Sequence, residues 1–116
     1  MCTQQDAMLI LAQAYEMCQK LYDGKVRDAY LYGSYARGDY HAESDVDIMM
    51  VVAEEDKYLR GKRIALSEIN DRLSLTHDIT VSVKSSPKDR FDRMQDALPF
   101  YHNVVKEGIR YVDRGM

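Results

Sequence analysis

Apolar side chains recur at three- and four-residue steps near the start of the chain, which is the spacing of an amphipathic helix. The members of this stripe are Met8, Leu11, Tyr15, Cys18 and Leu21. Thr3 followed by Asp6 resembles a capping box, and Asp23-Gly24 is a typical stop signal. The pattern therefore predicts a first helix that ends at Asp23-Gly24.

The next two segments have the residue types and the spacing of strands. Val26 to Tyr32 contains β-favouring residues and leads into a tight turn at Gly33-Ser34, after which a loop is expected up to residue 44. From Asp45 to Val52 the side chains follow strict period-two spacing. Asp45 and Asp47 therefore lie on the same face of the predicted second strand.

A second apolar stripe with helical spacing predicts another helix, weakened at Gly61 in its first turn. Its members are Tyr58, Leu59, Ala65, Leu66, Ile69 and Leu73. From Asp78 to Val83 polar and apolar residues alternate again, which predicts a third strand that Asp78 opens. In this strand Asp78, Thr80 and Ser82 are expected to share one face.

Two short helices are expected in the last third of the chain. Ser86-Pro87-Lys88-Asp89 is a helix-start signal with proline at the first helical position. Pro99 interrupts that helix, and a last helix is expected from Phe100 to near Gly108. A chain of 116 residues fits one compact domain, so we expect a single domain over residues 1–116.

Composition and charge exclude several classes of partner and compartment. Sixteen Lys+Arg against nineteen Asp+Glu give a net charge of -3, which argues against a nucleic-acid-binding surface. No basic segment precedes the apolar stretch Met8 to Ala12, which is too short for a signal core or a membrane span. Cys2 and Cys18 would lie roughly 24 Å apart along one helix, too far for a disulfide. These features predict a cytoplasmic protein.

One constellation distinguishes this chain from other small domains of helices and strands. Gly33-Ser34 is followed after ten residues by Asp45-Val46-Asp47. A glycine at a strand end lets the backbone approach an anion closely, and the serine offers an amide and a hydroxyl. Arg37, in the interval, can supply a fixed positive group. The combination predicts a cradle for a triphosphate.

The acidic residues predict a metal site beside that cradle. Asp45 and Asp47 project about 6.6 Å apart along the strand, from which they can reach two Mg²⁺ ions spaced ~3.5–4 Å. Asp78 is the candidate for a third carboxylate and for activating an attacking hydroxyl. Three aspartates beside a nucleoside triphosphate total roughly -7, so two Mg²⁺ ions are expected as cofactors. The chemistry predicted from these groups is nucleotidyl transfer.

Gly33-Ser34-Tyr35-Ala36-Arg37-Gly38 followed by Ser44-Asp45-Val46-Asp47-Ile48 resembles the DNA polymerase β-type nucleotidyltransferase superfamily. The short chain is similar to its minimal members, the MntA-like antitoxins encoded beside HEPN-domain toxins. The resemblance implies an α+β nucleotidyltransferase fold, with a small mixed β-sheet packed against helices. By position, Gly33 and Ser34 match the phosphate-binding pair and Asp45 and Asp47 the metal ligands. Arg37 matches the family's basic residue, and Asp78 its third carboxylate.

The resemblance also implies an activity and a partner. The donor would be Mg²⁺-ATP, and AMP would pass to a tyrosine hydroxyl of a partner HEPN toxin, silencing it within a hetero-oligomer. Two other functions stay open: an antitoxin or scaffold that only binds, and nucleotidyl transfer to a small molecule such as an aminoglycoside. The aspartates could also be solvated residues at a strand edge, and a structural role is expected for His77. The enzymatic interpretation requires the three acidic side chains and the Gly-Ser turn to converge.

Overall fold

A computed structural model describes residues 2–112, and these form a four-stranded mixed sheet with helices on both faces. The strands are β1 (Val26–Tyr32), β2 (Val46–Val52), β3 (Val81–Pro87) and β4 (Ile109–Arg110). Their order across the sheet is β3-β2-β1-β4. The central pair β1/β2 is antiparallel, β2/β3 is parallel, and β1/β4 is antiparallel. The predicted α+β class with a small mixed sheet is confirmed.

Six helices lie within the described residues. They are α1 (Gln4–Leu21), α2 (Ser34–Arg37), α3 (Asp56–Gly61), α4 (Arg63–His77), α5 (Lys88–Met94) and α6 (Pro99–Glu107). The capping box at the start of α1 is present, because the Thr3 side chain accepts from the Asp6 amide and Asp6 accepts from the Thr3 amide. No helix in this part of the chain has the length and apolar character needed to cross a membrane.

The two faces of β2 pack against different helices. Val46, Ile48, Met50 and Val52 enter the main core with α1 and α4. Met49 and Val51 lie on the opposite face and pack with Phe91 of α5 and Val104 of α6. The predicted alternation of β2 is therefore confirmed, and it turns Asp47 toward the face that α5 and α6 cover.

The predicted bounds of the third strand are wrong. Helix α4 continues to His77, and Asp78 takes a left-handed conformation (φ 52°) as its C-cap. The Val81 amide then donates to the Ser74 hydroxyl at 2.9 Å, and the strand starts there. Asp78 therefore ends a helix and does not open a strand, because the helix stop competes with the short polar-apolar alternation around it.

Other differences are local. The segment after Gly33 begins with the short helix α2, and the predicted second helix is divided into α3 and α4 at Lys62. Helix α5 already ends at Met94, before the predicted interruption at Pro99, and α6 begins at Pro99, one residue before the predicted start at Phe100. The sequence patterns did not predict strand β4. Cys2 and Cys18 are free, as expected, while the predicted single domain includes residue 1 and residues 113–116, which lie outside the described part.

Candidate active site

In the turn between β1 and α2, the backbone of Gly33 packs against the carboxylate of Asp47. Gly33 has φ 77° and is the N-cap of α2, and the amides of Ala36 and Arg37 donate to its carbonyl. A Cβ built on Gly33 would lie 2.6 Å from Asp47 Oδ2. Glycine is therefore required here twice, by the positive φ and by the space that the carboxylate occupies. The predicted convergence of the Gly-Ser turn with Asp47 is present in the structure.

Asp45, immediately before β2, and Asp47, within it, lie close enough for their charges to repel each other. Burial raises the pKa of Asp47, and the nearby charge of Asp45 raises it further, while Lys84 and Arg37 oppose the shift. Asp47 is half-buried and Asp45 is exposed. Within residues 2–112 neither carboxylate has a hydrogen bond or an ion pair from another side chain. A half-buried carboxylate beside a second negative charge and without a direct ion pair is costly, and a bound cation would reduce that cost.

Arg37, the last residue of α2, already has carboxylate partners. Its guanidinium lies 3.2 Å from Asp39 and 3.7 Å from Glu107 of α6. The hydrogen bond to Asp39 is the main reason why the pKa of Arg37 is raised. Exposed pairs of this kind contribute little to stability, so a phosphate could replace either carboxylate at small cost. Arg37 therefore lies near the turn and Asp47, and its two ion pairs leave it free to bind a phosphate instead.

Asp78 does not join the other two aspartates. It lines a cavity of about 530 Å³ at the N-terminal end of α1 and the C-terminal end of α4, together with Asp6 and Ala42. The charges that shift the pKa of Asp47 do not include Asp78. Across residues 2–112 no group of three His, Cys, Asp or Glu side chains is placed to hold a metal ion. The expectation that Asp78 completes a three-carboxylate cluster is wrong, because its backbone ends α4. The requirement that all three acidic side chains converge is therefore not met, and an enzymatic function has to rest on Asp45, Asp47 and the Gly33 turn.

The position opposite Asp47 on the neighbouring strand is occupied by Ser82. Strands β2 and β3 are parallel, and Asp47 pairs with Ser82 in their register. Side chains at paired positions of parallel strands lie on the same face. Lys84 is two residues further along that face, with its ammonium 5.8 Å from the Phe100 ring of α6. Sequence patterning had placed Ser82 on a face with Asp78, and only the strand register shows its true neighbour.

A second cavity extends the site between the turn and α6. It has a volume of about 250 Å³ and is lined by Tyr32, Gly33, Arg37, Phe100, Asn103, Val104 and Glu107. Burial and the charge of Asp47 raise the pKa of Tyr32 to about 12. The Tyr32 hydroxyl is buried and has no hydrogen-bond partner among the described residues. The sequence did not lead us to predict that α6 lines this cavity, although its lining residues follow helical spacing from Phe100 to Glu107.

A family model described as a nucleotidyltransferase domain matches residues 12–112. A candidate protein adenylyltransferase of Methanocaldococcus jannaschii is 30% identical over 87 residues, which cover 75% of this chain and 79% of the relative.

Two solved structures share the fold. One is a crystal structure of a toxin-antitoxin with AMP-PNP, with TM-score 0.51 and 24% identity over 82% of this chain and 69% of that one. The other is the structure of a tri-AMPylated Shewanella oneidensis HEPN toxin in complex with MNT antitoxin. It aligns with TM-score 0.53 and 21% identity, covering 93% of this chain and 71% of that chain.

Proposed function

This chain belongs to the nucleotidyltransferase domain family, and from that membership we propose that it is an Mg²⁺-dependent protein adenylyltransferase. It transfers AMP from ATP to a tyrosine hydroxyl of a partner HEPN toxin and thereby acts as an antitoxin in the cytoplasm. The adenylyltransferase relative and the AMPylated toxin in a structure of the same fold support this assignment. The AMP-PNP structure supports ATP as the donor.

The observation that carries the proposal is the carboxylate pair Asp45 and Asp47, with Asp47 against the Gly33 turn and no ion pair to either residue within residues 2–112. Asp45 and Asp47 offer hard oxygen ligands, which Mg²⁺ prefers. The raised pKa of Asp47 reflects burial and like charge, both of which a divalent ion offsets. The residues therefore fit a magnesium site, and we assign Asp45 and Asp47 as the ligands of two Mg²⁺ ions. Mg²⁺ held by these two carboxylates would supply stabilisation of the charge on the triphosphate and on the leaving pyrophosphate.

The chain's own groups position the nucleotide around this pair. Gly33 presents backbone without a side chain, and Ser34 begins α2 with an amide and a hydroxyl at the turn. Both are assigned to the phosphates. Arg37 contacts the triphosphate by exchanging Asp39 or Glu107 for a phosphate oxygen. In this arrangement the protein contributes mainly by orienting the α-phosphorus toward the acceptor hydroxyl.

We place the partner surface beside the same site. Phe100 of α6 is 43% exposed and also lines the cavity next to Gly33. An exposed apolar side chain at the edge of a site can contact a bound protein. The docked toxin would cover Phe100 and bring its tyrosine to the nucleotide. Because the net charge is -3, we do not expect nucleic acid to bind directly.

The test is to mix the purified chain with the HEPN-domain protein of a neighbouring gene, ATP and Mg²⁺, and to measure the intact mass of the partner. We expect a gain of one or more AMP units that requires Mg²⁺. Asp45→Asn and Asp47→Asn should abolish the gain, whereas Asp71→Asn, an exposed position of α4, should retain it. No mass gain with any nucleoside triphosphate would overturn the proposal.

A second candidate is an antitoxin that only binds its partner. The residue opposite Asp47 is Ser82, and Asp78 lines another cavity, so within residues 2–112 no third carboxylate joins the pair, which favours this alternative. The two candidates differ in what happens when catalysis is removed. If the Asp45→Asn/Asp47→Asn double variant still protects cells from the toxin, binding alone is sufficient.

A further inference from the structure

An acidic side chain forms part of the wall of the cavity between the Gly33 turn and α6. Glu107, the last residue of α6, lines this cavity of about 250 Å³ together with Gly33 and Arg37. Its carboxylate lies 3.7 Å from Nη1 of the Arg37 guanidinium. A carboxylate at this place matters because it repels a phosphate and competes with it for the same cation.

The position of Glu107 is fixed by its neighbours in the chain. Val104, three residues earlier, is buried in a cluster with residues of β1, β2 and α5. Gly108, the next residue, donates its amide to the Val104 carbonyl at 3.0 Å. A Cβ on Gly108 would collide with that carbonyl oxygen and would lie 3.0 Å from the Leu31 carbonyl of β1. The end of α6 is therefore packed directly against β1, and this contact holds Glu107 beside the turn.

Arg37 uses different nitrogen atoms for its two carboxylate partners. Its Nε–H donates to Asp39 at 3.2 Å, and Asp39 does not line the cavity. Nη1 is 3.7 Å from Glu107, which makes this contact an ion pair without a hydrogen bond. A guanidinium has several N–H donors, so Arg37 can keep Asp39 on Nε while its Nη groups bind a phosphate. A phosphate at Nη1 would displace Glu107 and leave Asp39 in place.

We infer that Glu107 competes with the phosphates of the nucleotide for Arg37, and thereby lowers the affinity of the site for ATP and speeds the release of pyrophosphate. This inference rests on the proposed function and adds to it a residue that sets how tightly the phosphates are held. The cavity is smaller than the about 300–1,000 Å³ typical of pockets for drug-sized ligands, so it suits the pyrophosphate part of the nucleotide. When pyrophosphate leaves, Glu107 pairs with Arg37 again.

The charge of Glu107 should affect binding more than folding. The side chains of Glu107 and Arg37 are both 43% exposed, so their attraction contributes little to the free energy of unfolding. A phosphate in the cavity would be a close neighbour of the carboxylate, and repulsion between such charges near a protein surface changes affinity several-fold. Removing this charge should therefore tighten phosphate binding and leave the urea midpoint unchanged.

The experiment measures the dissociation constants of Mg²⁺-ATP and Mg²⁺-pyrophosphate by titration calorimetry for the unaltered chain and three variants. Glu107→Gln keeps the size of the side chain and removes its charge, and we expect both constants to fall about fivefold. This gain should shrink as NaCl is raised, because salt screens exposed charges.

Two variants serve as comparisons. Glu68→Gln, at an exposed position of α4, changes the net charge by the same amount and should leave both dissociation constants unchanged. Asp39→Asn should tighten binding less than Glu107→Gln, because Asp39 holds Nε of Arg37 and lies outside the lining of the cavity. An equal or larger gain in either comparison variant would overturn the inference.

The remaining outcomes separate the inference from the proposed function. If the unaltered chain binds neither ligand and transfers no AMP, the proposed function fails and the inference fails with it. If the unaltered chain binds ATP, unchanged constants in Glu107→Gln overturn the inference alone, as does a gain for ATP without a gain for pyrophosphate. Weaker binding by Glu107→Gln would also overturn it, since Glu107 would then hold the nucleotide as a hydrogen-bond acceptor.

Discussion

The backbone of Gly33 lies against the carboxylate of Asp47, so closely that a methyl group on Gly33 would sit 2.6 Å from Oδ2. The contact joins the end of β1 to the start of β2 and brings the two halves of the sequence motif together. It depends on the antiparallel pairing in which Tyr32 is opposite Asp47. The Gly33 turn and the Asp45/Asp47 pair are therefore one structural unit.

Replacing Gly33 with alanine should damage both stability and activity. The new methyl group would collide with Asp47, and the residue would have to keep φ 77°. We expect a loss of about 1–3 kcal/mol in the free energy of unfolding and about 100-fold in AMP transfer. Gly38→Ala is the matched control, since Gly38 has φ 89° but no atom within 4 Å of an added Cβ. It should lose stability alone; equal losses of transfer in both variants would contradict this prediction.

Asp47→Asn should stabilise the metal-free protein at neutral pH. Burial and Asp45 raise the pKa of Asp47, so its charge lowers the free energy of unfolding at pH 7. This cost falls as the pH drops through the raised pKa and is gone below the ordinary Asp value of about 3.9. Urea midpoints of the variant should therefore exceed those of the unaltered chain at pH 7 and approach them at acidic pH. Added Mg²⁺ should stabilise only the unaltered chain.

Asp6→Asn provides a control of opposite sign. Hydrogen bonds from the amide and hydroxyl of Thr3 lower the pKa of Asp6. Its charge therefore raises the free energy of unfolding above the ordinary Asp pKa, and that contribution is lost as the pH falls through the lowered value. The Asn variant should be less stable than the unaltered chain at pH 7. The same sign for both variants would show that a general charge effect is responsible.

Arg37→Ala should affect nucleotide binding more than stability. Its pairs with Asp39 and Glu107 are exposed, and we expect a change below about 1 kcal/mol in the free energy of unfolding. Loss of a charged hydrogen bond to phosphate should raise KM for ATP about tenfold. Arg110 of β4 forms a comparable ion pair with Asp28 of β1 at 2.7 Å. Arg110→Ala removes that pair and should leave KM for ATP unchanged. Steady-state kinetics with varied ATP would measure both.

Asp78→Gly should stabilise the protein without loss of AMP transfer. Asp78 holds φ 52° at the end of α4, a conformation that glycine adopts without steric cost, and the expected gain is up to about 1 kcal/mol. Asp23 also has a positive φ (56°), but it accepts a hydrogen bond from Tyr58 at 2.6 Å. Asp23→Gly should therefore gain less. AMP transfer is measured by the intact mass of the partner. Loss of transfer in Asp78→Gly would contradict this prediction and show that Asp78 belongs to the active site.

Much of the site could be predicted because its parts are close in the sequence. The turn at Gly33 and the aspartates at positions 45 and 47 belong to one hairpin-like unit of β1 and β2, and local spacing determines which face each side chain takes. The third acidic position was wrong for the opposite reason. It depends on the pairing of β2 with β3, two strands that are distant in the sequence, and on where α4 ends.

By itself the sequence determined the helix α1, the alternation of β2, the Gly-Ser turn and the Asp45/Asp47 pair, because each follows from the spacing of neighbouring residues along one element. Only the tertiary structure decided that Ser82 is opposite Asp47, that Asp78 lines another cavity, and that α6 covers the Gly33 turn. Those relationships arise from strand register and helix packing. Both are set by the burial of side chains from distant segments. The pattern within one segment does not specify which other segment will pack against it.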